Sequence, residues 1–419
     1  MKTLFNLMAV LLFAATAFAA DPTVSNVQVA TQSADRKVTI SYMLADAPAI
    51  VTFEVFTNGV TIGGFPLRAA WGDVNVIVQP GASKKIVWQP REWNDRFVVD
   101  GSVSVKVTAH ALDNPPDYMA VDLTMPSNRV WYANAEAVPL GVTNDLYKTE
   151  KLLMRRIHAM GVRWRKGSSQ GEEVGHLGTE PTYPVVLTKD YYIGVFQVTY
   201  RQHALFANPA SVYTSAATFP QQKVNSDNLR GALPTYDWYA HGSVVDPSLP
   251  IGKLRTYTGI DTFDLPSDAQ WEFACLGGTA HARFGVSSGD LPKYVWYASS
   301  DYTKYGATGS KAVQRVGLLL PNPYGLYDML GNGSELCNDW YGEGDDYAKE
   351  GVLQIDPRGP ASHASNWHVV HAASWDHAAD HQRSCARHTG LTIGQETSSS
   401  YATYRLICGI DMGELVVGR

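Results

Sequence analysis

The stretch HAASWDHAADHQRSCARH, residues 371–388, places His371, His377, His381 and His388 beside Asp376, Asp380 and Cys385. Imidazole, carboxylate and thiolate are the side chains that ligate transition metals and move protons near neutral pH. His377 and His381 are spaced i, i+4, which puts both rings on one face if the segment is helical. No glutamate follows the first histidine as in H-E-x-x-H, so the general base of a zinc hydrolase is missing. Three readings stay open on these residues alone: a metal site, a catalytic centre, or a polar surface that contacts a ligand.

The elements that must position this stretch occupy the rest of the 419 residues. The first residues, MKTLFNLMAVLLFAATAFAADP, combine Lys2, a short apolar run and an Ala17-Phe18-Ala19 cleavage pattern. They read as a secretory signal peptide over 1–20, which implies a secreted, periplasmic or cell-surface protein. No later segment approaches the ~20 apolar residues of a transmembrane helix. The net charge is −6 and the basic residues are scattered, so no nucleic acid or anionic membrane is expected as partner.

From 21 to 125 the pattern is that of strands. Val51, Phe53 and Val55 share one face before an Asn58-Gly59 hairpin signal, and Val103, Val105, Val107 and Ala109 alternate with Ser102, Ser104, Lys106 and Thr108. This predicts an N-terminal all-β sandwich of immunoglobulin or fibronectin type. Pro115 and Pro116 interrupt regular pairing, and a linker is predicted over 126–145. A second domain then runs over 146–412. Its LLMRRI segment, followed by Met160-Gly161 and VRWRK, suggests a hairpin. DLPSDAQWEFACLGGT predicts a helix capped by Ser267 and Gln270 and stopped by Gly277-Gly278. Much of the remainder is rich in turn residues, so the second domain is expected to be α+β and loop-rich. Cys275, Cys337, Cys385 and Cys408 are an even set in an exported chain, which suggests disulfides with three possible pairings.

Four stretches in order, DYYIGVFQVTYRQ (190–202), LPSDAQWEFACLGGT (265–279), YGLYDMLGNGSELCNDWYG (324–342) and HVVHAASW (368–375) with YRLICG (404–409), resemble the formylglycine-generating enzyme, or sulfatase-modifying factor, family. The resemblance does not cover the N-terminal β-domain. It implies a C-type-lectin-like fold low in regular structure. It also implies an activity, the oxidation of a sulfatase cysteine to formylglycine with O2 and a copper ion held by two thiolates. Soft Cu(I) prefers thiolate sulfur at low coordination. Here the family's G-G-S-[WY] motif reads Ala372-Ala373-Ser374-Trp375. The positions of its two copper cysteines fall at His377 and at Asp380 or His381. The resemblance therefore implies no copper, and no catalytic residue is assigned. The H-x3-H-x-E motif of the family's iron-dependent relatives is absent as well.

The resemblance implies three further sites. One is a Cys275–Cys385 disulfide; the residues themselves leave Cys337 and Cys408 as either a second pair or buried thiols. Another is a structural Ca2+ held by Asn332 and Glu335, with the backbone of Gly333 beside them, where this chain has Ser334 in place of the family's tryptophan; the alternative is an Asx-turn with no ion. Asn332-Gly333-Ser334 also matches a glycosylation sequon. The third is a ligand cleft lined by His371, Trp375, His377, His381 and Arg383 and continuing to about Tyr401. Trp271, Glu272 and Phe273 read as core, with Glu272 paired to a basic group. The expected function is non-catalytic binding of an extracellular glycan or protein. The alternative is a metal-dependent oxidoreductase built on a His-based site.

Overall fold

The computed structural model of the chain describes residues 21–62, 69–90, 97–125, 128–167, 182–209, 217–231, 244–342, 351–360, 367–387 and 402–410. The predicted signal peptide lies outside these residues, as do His388 and the rest of the predicted cleft segment to Tyr401.

The first unit is all-β. Strands β1 (Thr23–Val29), β2 (Val38–Ala45), β5 (Ala70–Gly72) and β7 (Gly81–Trp88) form one antiparallel sheet in the order β1-β2-β7-β5. Strands β3 (Ala49–Thr57), β4 (Val60–Thr61), β6 (Ile77–Val78) and β8 (Val103–His110) form another. The two sheets share one core, in which Ile40, Tyr42, Ile86 and Trp88 of the first meet Val51, Phe53, Val55 and Val107 of the second. The Asn58-Gly59 signal is realised: both residues take left-handed backbone, with φ of 51° and 78°, and they join β3 to β4. A two-residue turn with both φ positive matches the right-handed twist of the strands it joins.

The second unit is organised by a five-stranded antiparallel sheet. It holds β9 (Tyr118–Asp122), β10 (Arg129–Tyr132), β11 (Lys151–Ile157), β14 (Tyr191–Gly194) and β19 (Ile407–Gly409) in the order β10-β9-β11-β14-β19. The predicted boundaries are corrected here. Strand β9 lies before the 125/126 boundary and β10 inside the predicted linker, yet both belong to this sheet. Val138 and Tyr147 pack with Tyr118 and Leu153 in one apolar cluster, so residues 135–147 are no free linker. The reason is physical: all five residues of YMAVD are buried. A strand covered on both faces shows no alternation. The LLMRRI hairpin is also corrected. Strand β11 pairs with β9 and β14, whereas β12 (Arg163–Lys166) pairs with β13 (Tyr183–Val186) in a second sheet that β16 (Gln354–Ile355) completes. The turn at Gly161 (φ 74°) carries the chain from one sheet to the other.

A third small sheet, ordered β17-β15-β18, holds β15 (Ser334–Trp340), β17 (His368–His371) and β18 (Ala402–Thr403). Against it packs helix α5 (Asp268–Leu276), every residue of which is buried. Its start is as predicted. The Ser267 hydroxyl accepts from the Gln270 N–H, the Gln270 side chain accepts from the Ser267 N–H, and Gly277 ends the helix in left-handed backbone. No helix among the described residues is long and apolar enough to cross a membrane.

Candidate functional site

The site is a loop, residues 372–387, that leaves β17 and stands over α5. Its first turn needs a left-handed residue, and Ala372 supplies it at φ 57°. That is a conformation a Cβ disfavours by ~1–2 kcal/mol. The loop is fixed along its length. The Trp375 N–H donates to the Asn332 carbonyl (2.9 Å), the Ala298 N–H to that of His377 (2.9 Å), and the Gln382 amide to that of Ser374 (3.2 Å). Arg283 donates to the Gln382 and Ala379 carbonyls. So tethered, the loop is a platform rather than a flap.

Its surface holds part of the predicted set. Ser374 is buried, and its hydroxyl touches the Asp376 carboxylate and, at 2.9 Å, Nδ1 of His377. Asp376 lies 3.0 Å from the same nitrogen. The His377 and His381 rings meet edge to face at 5.6 Å, both partly exposed, while Trp375 is half-buried and packs against the Trp296, Tyr302 and Leu319 cluster. A Ser, His and Asp are thus adjacent, but hydroxyl and carboxylate both meet Nδ1. That differs from the relay of a nucleophilic triad, in which the imidazole bridges the two through opposite nitrogens. His371 and Arg383 are corrected as cleft residues: both are buried, at 0% and 1% exposure.

His371 belongs instead to a buried ionic floor that links α5 to the second and third sheets. Lys166, at the end of β12, reaches Asp268 (2.7 Å) and Glu272 (2.8 Å) on α5. Nε2 of His371 lies 2.6 Å from Asp268, and its ring stacks on Trp271 at 4.4 Å. The pairing predicted for Glu272 is present, with Lys166 as the base. Lys166, Asp268 and Arg405 were missed. The one available signal was Asp268 and Glu272 spaced i, i+4 in an otherwise uncharged helix, a pair of charges that burial forces to find a cation.

Donor atoms of Asp268, Glu272 and His371 lie within 4.8 Å of one another, the only such group among the described residues. A metal does not fit there, because the Lys166 ammonium already sits at hydrogen-bond distance from both carboxylates. The oxygens expected to hold calcium at Asn332 and Glu335 are engaged by protein donors instead. The Asn332 Oδ1 accepts from the Gln314 N–H (2.7 Å), and the Gly333 carbonyl accepts from the Gln197 amide (2.8 Å). Both oxygens of Glu335 accept from Arg405, and one of them also accepts from Trp271 Nε1 (2.6 Å). The expected ligand oxygens of Asn332, Gly333 and Glu335 thus all accept from protein donors. Asn332, at 0% exposure, is also closed to glycosylation.

The four cysteines are buried free thiols, which corrects the predicted Cys275–Cys385 and Cys337–Cys408 bridges. Burial, together with the nearby Glu335 and Glu272, pushes the Cys275 thiol well above its ordinary range. Burial chiefly does the same for Cys337 and lifts Cys408 to about 12. These are not thiolates at neutral pH. Alkylation without reductant should therefore modify four thiols in denatured protein and essentially none in native protein; a shortfall of one pair after denaturation would reveal a bridge.

Asp339 gives the site a pH dependence. Burial, then the adjacent Asp268 charge, raises its carboxyl to about 7. An unfolded aspartate titrates near ~3.9. Between those values the folded chain holds a proton that the unfolded chain has released, so stability falls as pH rises through the window and levels off above it. Asp339→Asn keeps an acceptor for the Asp268 N–H (2.8 Å). Denaturant melts should show the variant gaining on wild type by on the order of 1 kcal/mol or more between pH 4 and pH 7.5. A constant gap would refute this.

The FGE-sulfatase family, described as the sulfatase-modifying factor enzyme 1-like domain, matches residues 157–399. The formylglycine-generating enzyme of Thermomonospora curvata is 33% identical over 231 residues, covering 48% of this chain and 76% of that protein. The serine/threonine-protein kinase pkn1 of Chlamydia caviae is 25% identical over 249 residues, covering 58% of this chain but 36% of the kinase, so the chain spans about a third of that relative's length. Among solved structures, Treponema denticola variable protein 1 aligns at 23% identity with a TM-score of 0.45, covering 62% of this chain and 95% of that one.

Proposed function

Because the chain belongs to the FGE-sulfatase family, we propose that it is an exported, non-catalytic member whose surface at Trp375, His377 and His381 binds an extracellular glycan or protein. The N-terminal β-unit would be an immunoglobulin-type spacer. The observation that carries this reading is chemical. The two positions where the family resemblance expects thiolates hold His377 and Asp380 or His381, and all four thiols of the chain are buried. Without a sulfur pair, a soft monovalent ion lacks its preferred ligands and no centre for O2 is assembled. What is left suits recognition. An indole and two imidazoles stand on a platform whose backbone is fixed before any partner arrives, so little ordering entropy is lost on binding.

The test is a glycan and surface-protein array probed with wild type and with the His377→Ala/His381→Ala double variant. Selective binding that the double variant loses supports the reading. Identical array profiles for the two proteins would sink it. A second reading, a His-based metal oxidoreductase, draws on one observation: Asp376 at Nδ1 of His377 is the carboxylate–histidine arrangement that orients imidazole ligands in metal sites. Under that reading chelator-treated protein takes up one equivalent of copper or zinc that His377→Ala abolishes; no uptake removes it.

A further inference from the structure

The chain carries a second concavity, apart from the His377 surface. A cleft of about 410 Å³ lies between the edge strand β12 and the turn that follows α5, bounded at one end by Ser384. Its volume is in the range of sites for small organic ligands.

The strand builds it by alternation. Along β12, Trp164 and Lys166 turn inward while Arg163 and Arg165 are exposed. Trp164 meets Phe273 edge to face at 5.4 Å, and Phe273 meets Tyr324 at 6.4 Å, so one wall is a run of aromatic rings. Gly278 also lines the cleft and lets backbone approach the end of that wall, where a Cβ would stand 3.2 Å from the Tyr324 hydroxyl. Its lining includes Arg163, and none of the described lining residues is acidic; His158, also in the lining, is already paired with Asp117 (2.8 Å) and Asp190 (3.3 Å). The C-terminal end of α5 also borders the cleft, and its carbonyls would repel an anion. Two of them, Ala274 and Cys275, are already engaged by the Asn322 amide at 2.7 and 3.1 Å.

We propose that this cleft binds a small ligand consisting of a flat aromatic ring bearing an anionic group. The ring would lie against the Trp164–Phe273–Tyr324 wall, and its charge would face the Arg163 guanidinium, whose planar fork matches carboxylate, phosphate or sulfate oxygens. The assignment is independent of the proposed glycan or protein surface, and His377→Ala leaves it intact.

The test is calorimetric titration of the full chain with indole-3-acetate, beside neutral indole and non-aromatic cyclohexylacetate. Saturable binding of indole-3-acetate is expected, with each comparator at least about tenfold weaker, since each lacks one of the two contacts. Ala280→Trp, at an exposed lining position, should abolish binding by filling the cleft, and Arg163→Gln should weaken it about tenfold. Two separate exposed positions guard against one variant failing to fold. The proposal is overturned if indole-3-acetate gives no saturable heat, if either comparator binds equally well, or if folded Ala280→Trp binds like wild type.

Discussion

Arg405→Ala should destabilise the protein by roughly 3–5 kcal/mol, because it strands a buried carboxylate. Arg405 and Glu335 are both at 0% exposure, and the guanidinium reaches the Glu335 oxygens at 2.7, 2.9 and 3.2 Å. It also donates to the Gly194 carbonyl (2.8 Å) on β14 and to the Tyr327 carbonyl (2.7 Å). One side chain thus ties the central sheet to the loop before β15, and its loss takes a donor from two carbonyls and leaves the Glu335 charge without its counter-ion, with Trp271 Nε1 still donating to it. Urea melts should show the full loss. Adding Glu335→Gln to Arg405→Ala should recover part of it by removing the stranded charge, a non-additivity characteristic of partners in direct contact. A loss under about 1 kcal/mol would mean that water solvates Glu335.

Lys166→Ala should be as severe, at roughly 3–5 kcal/mol, and for a distinct reason. Two carboxylates share its ammonium, and Asp339 stands close enough for the Asp268 N–H to donate to it. Asp268 and Lys166 hold each other in their charged forms, Asp268 well below the ordinary carboxylate range and Lys166 well above its own, despite the cost of burial to each. Without the lysine, three buried acids face one another with His371 and, 3.9 Å from Asp268, Arg387 as the nearby bases. The remaining repulsion is relieved by protonation, so the variant should recover stability as the pH is lowered from 7 to 5. Wild type should not show a recovery of the same size. Equal stability of the two proteins at pH 7 would show that the floor is hydrated.

Much of this architecture could be read from local sequence. The capping box of α5 lies within four residues, and the Asn58-Gly59 turn and the faces of β3 and β8 follow from nearest neighbours. Elements governed by distant partners could not be read. Strand β9 hides its period because both faces are covered. Glu335 and Asn332 were visible as oxygen donors in a tight loop, but what uses those oxygens is Arg405, 70 residues beyond Glu335, and the Gln314 N–H, 18 residues before Asn332. A resemblance to a calcium loop carried the residue types over and not their partners. The cysteine assignments failed in the same way, since position suggested bridges where the fold holds thiols. The negative statement about the copper pair was the most legible, because it needed only the identities at 377, 380 and 381.

That statement is also the most direct to test. The full-length protein, loaded with copper and supplied with O2, is incubated with a sulfatase-type Cys-x-Pro-x-Arg peptide, and the peptide mass is followed. The account predicts that the cysteine persists at the rate of a protein-free control. Conversion of that cysteine to an aldehyde above the control, lost on His377→Ala, would contradict it and make this surface an oxidase centre.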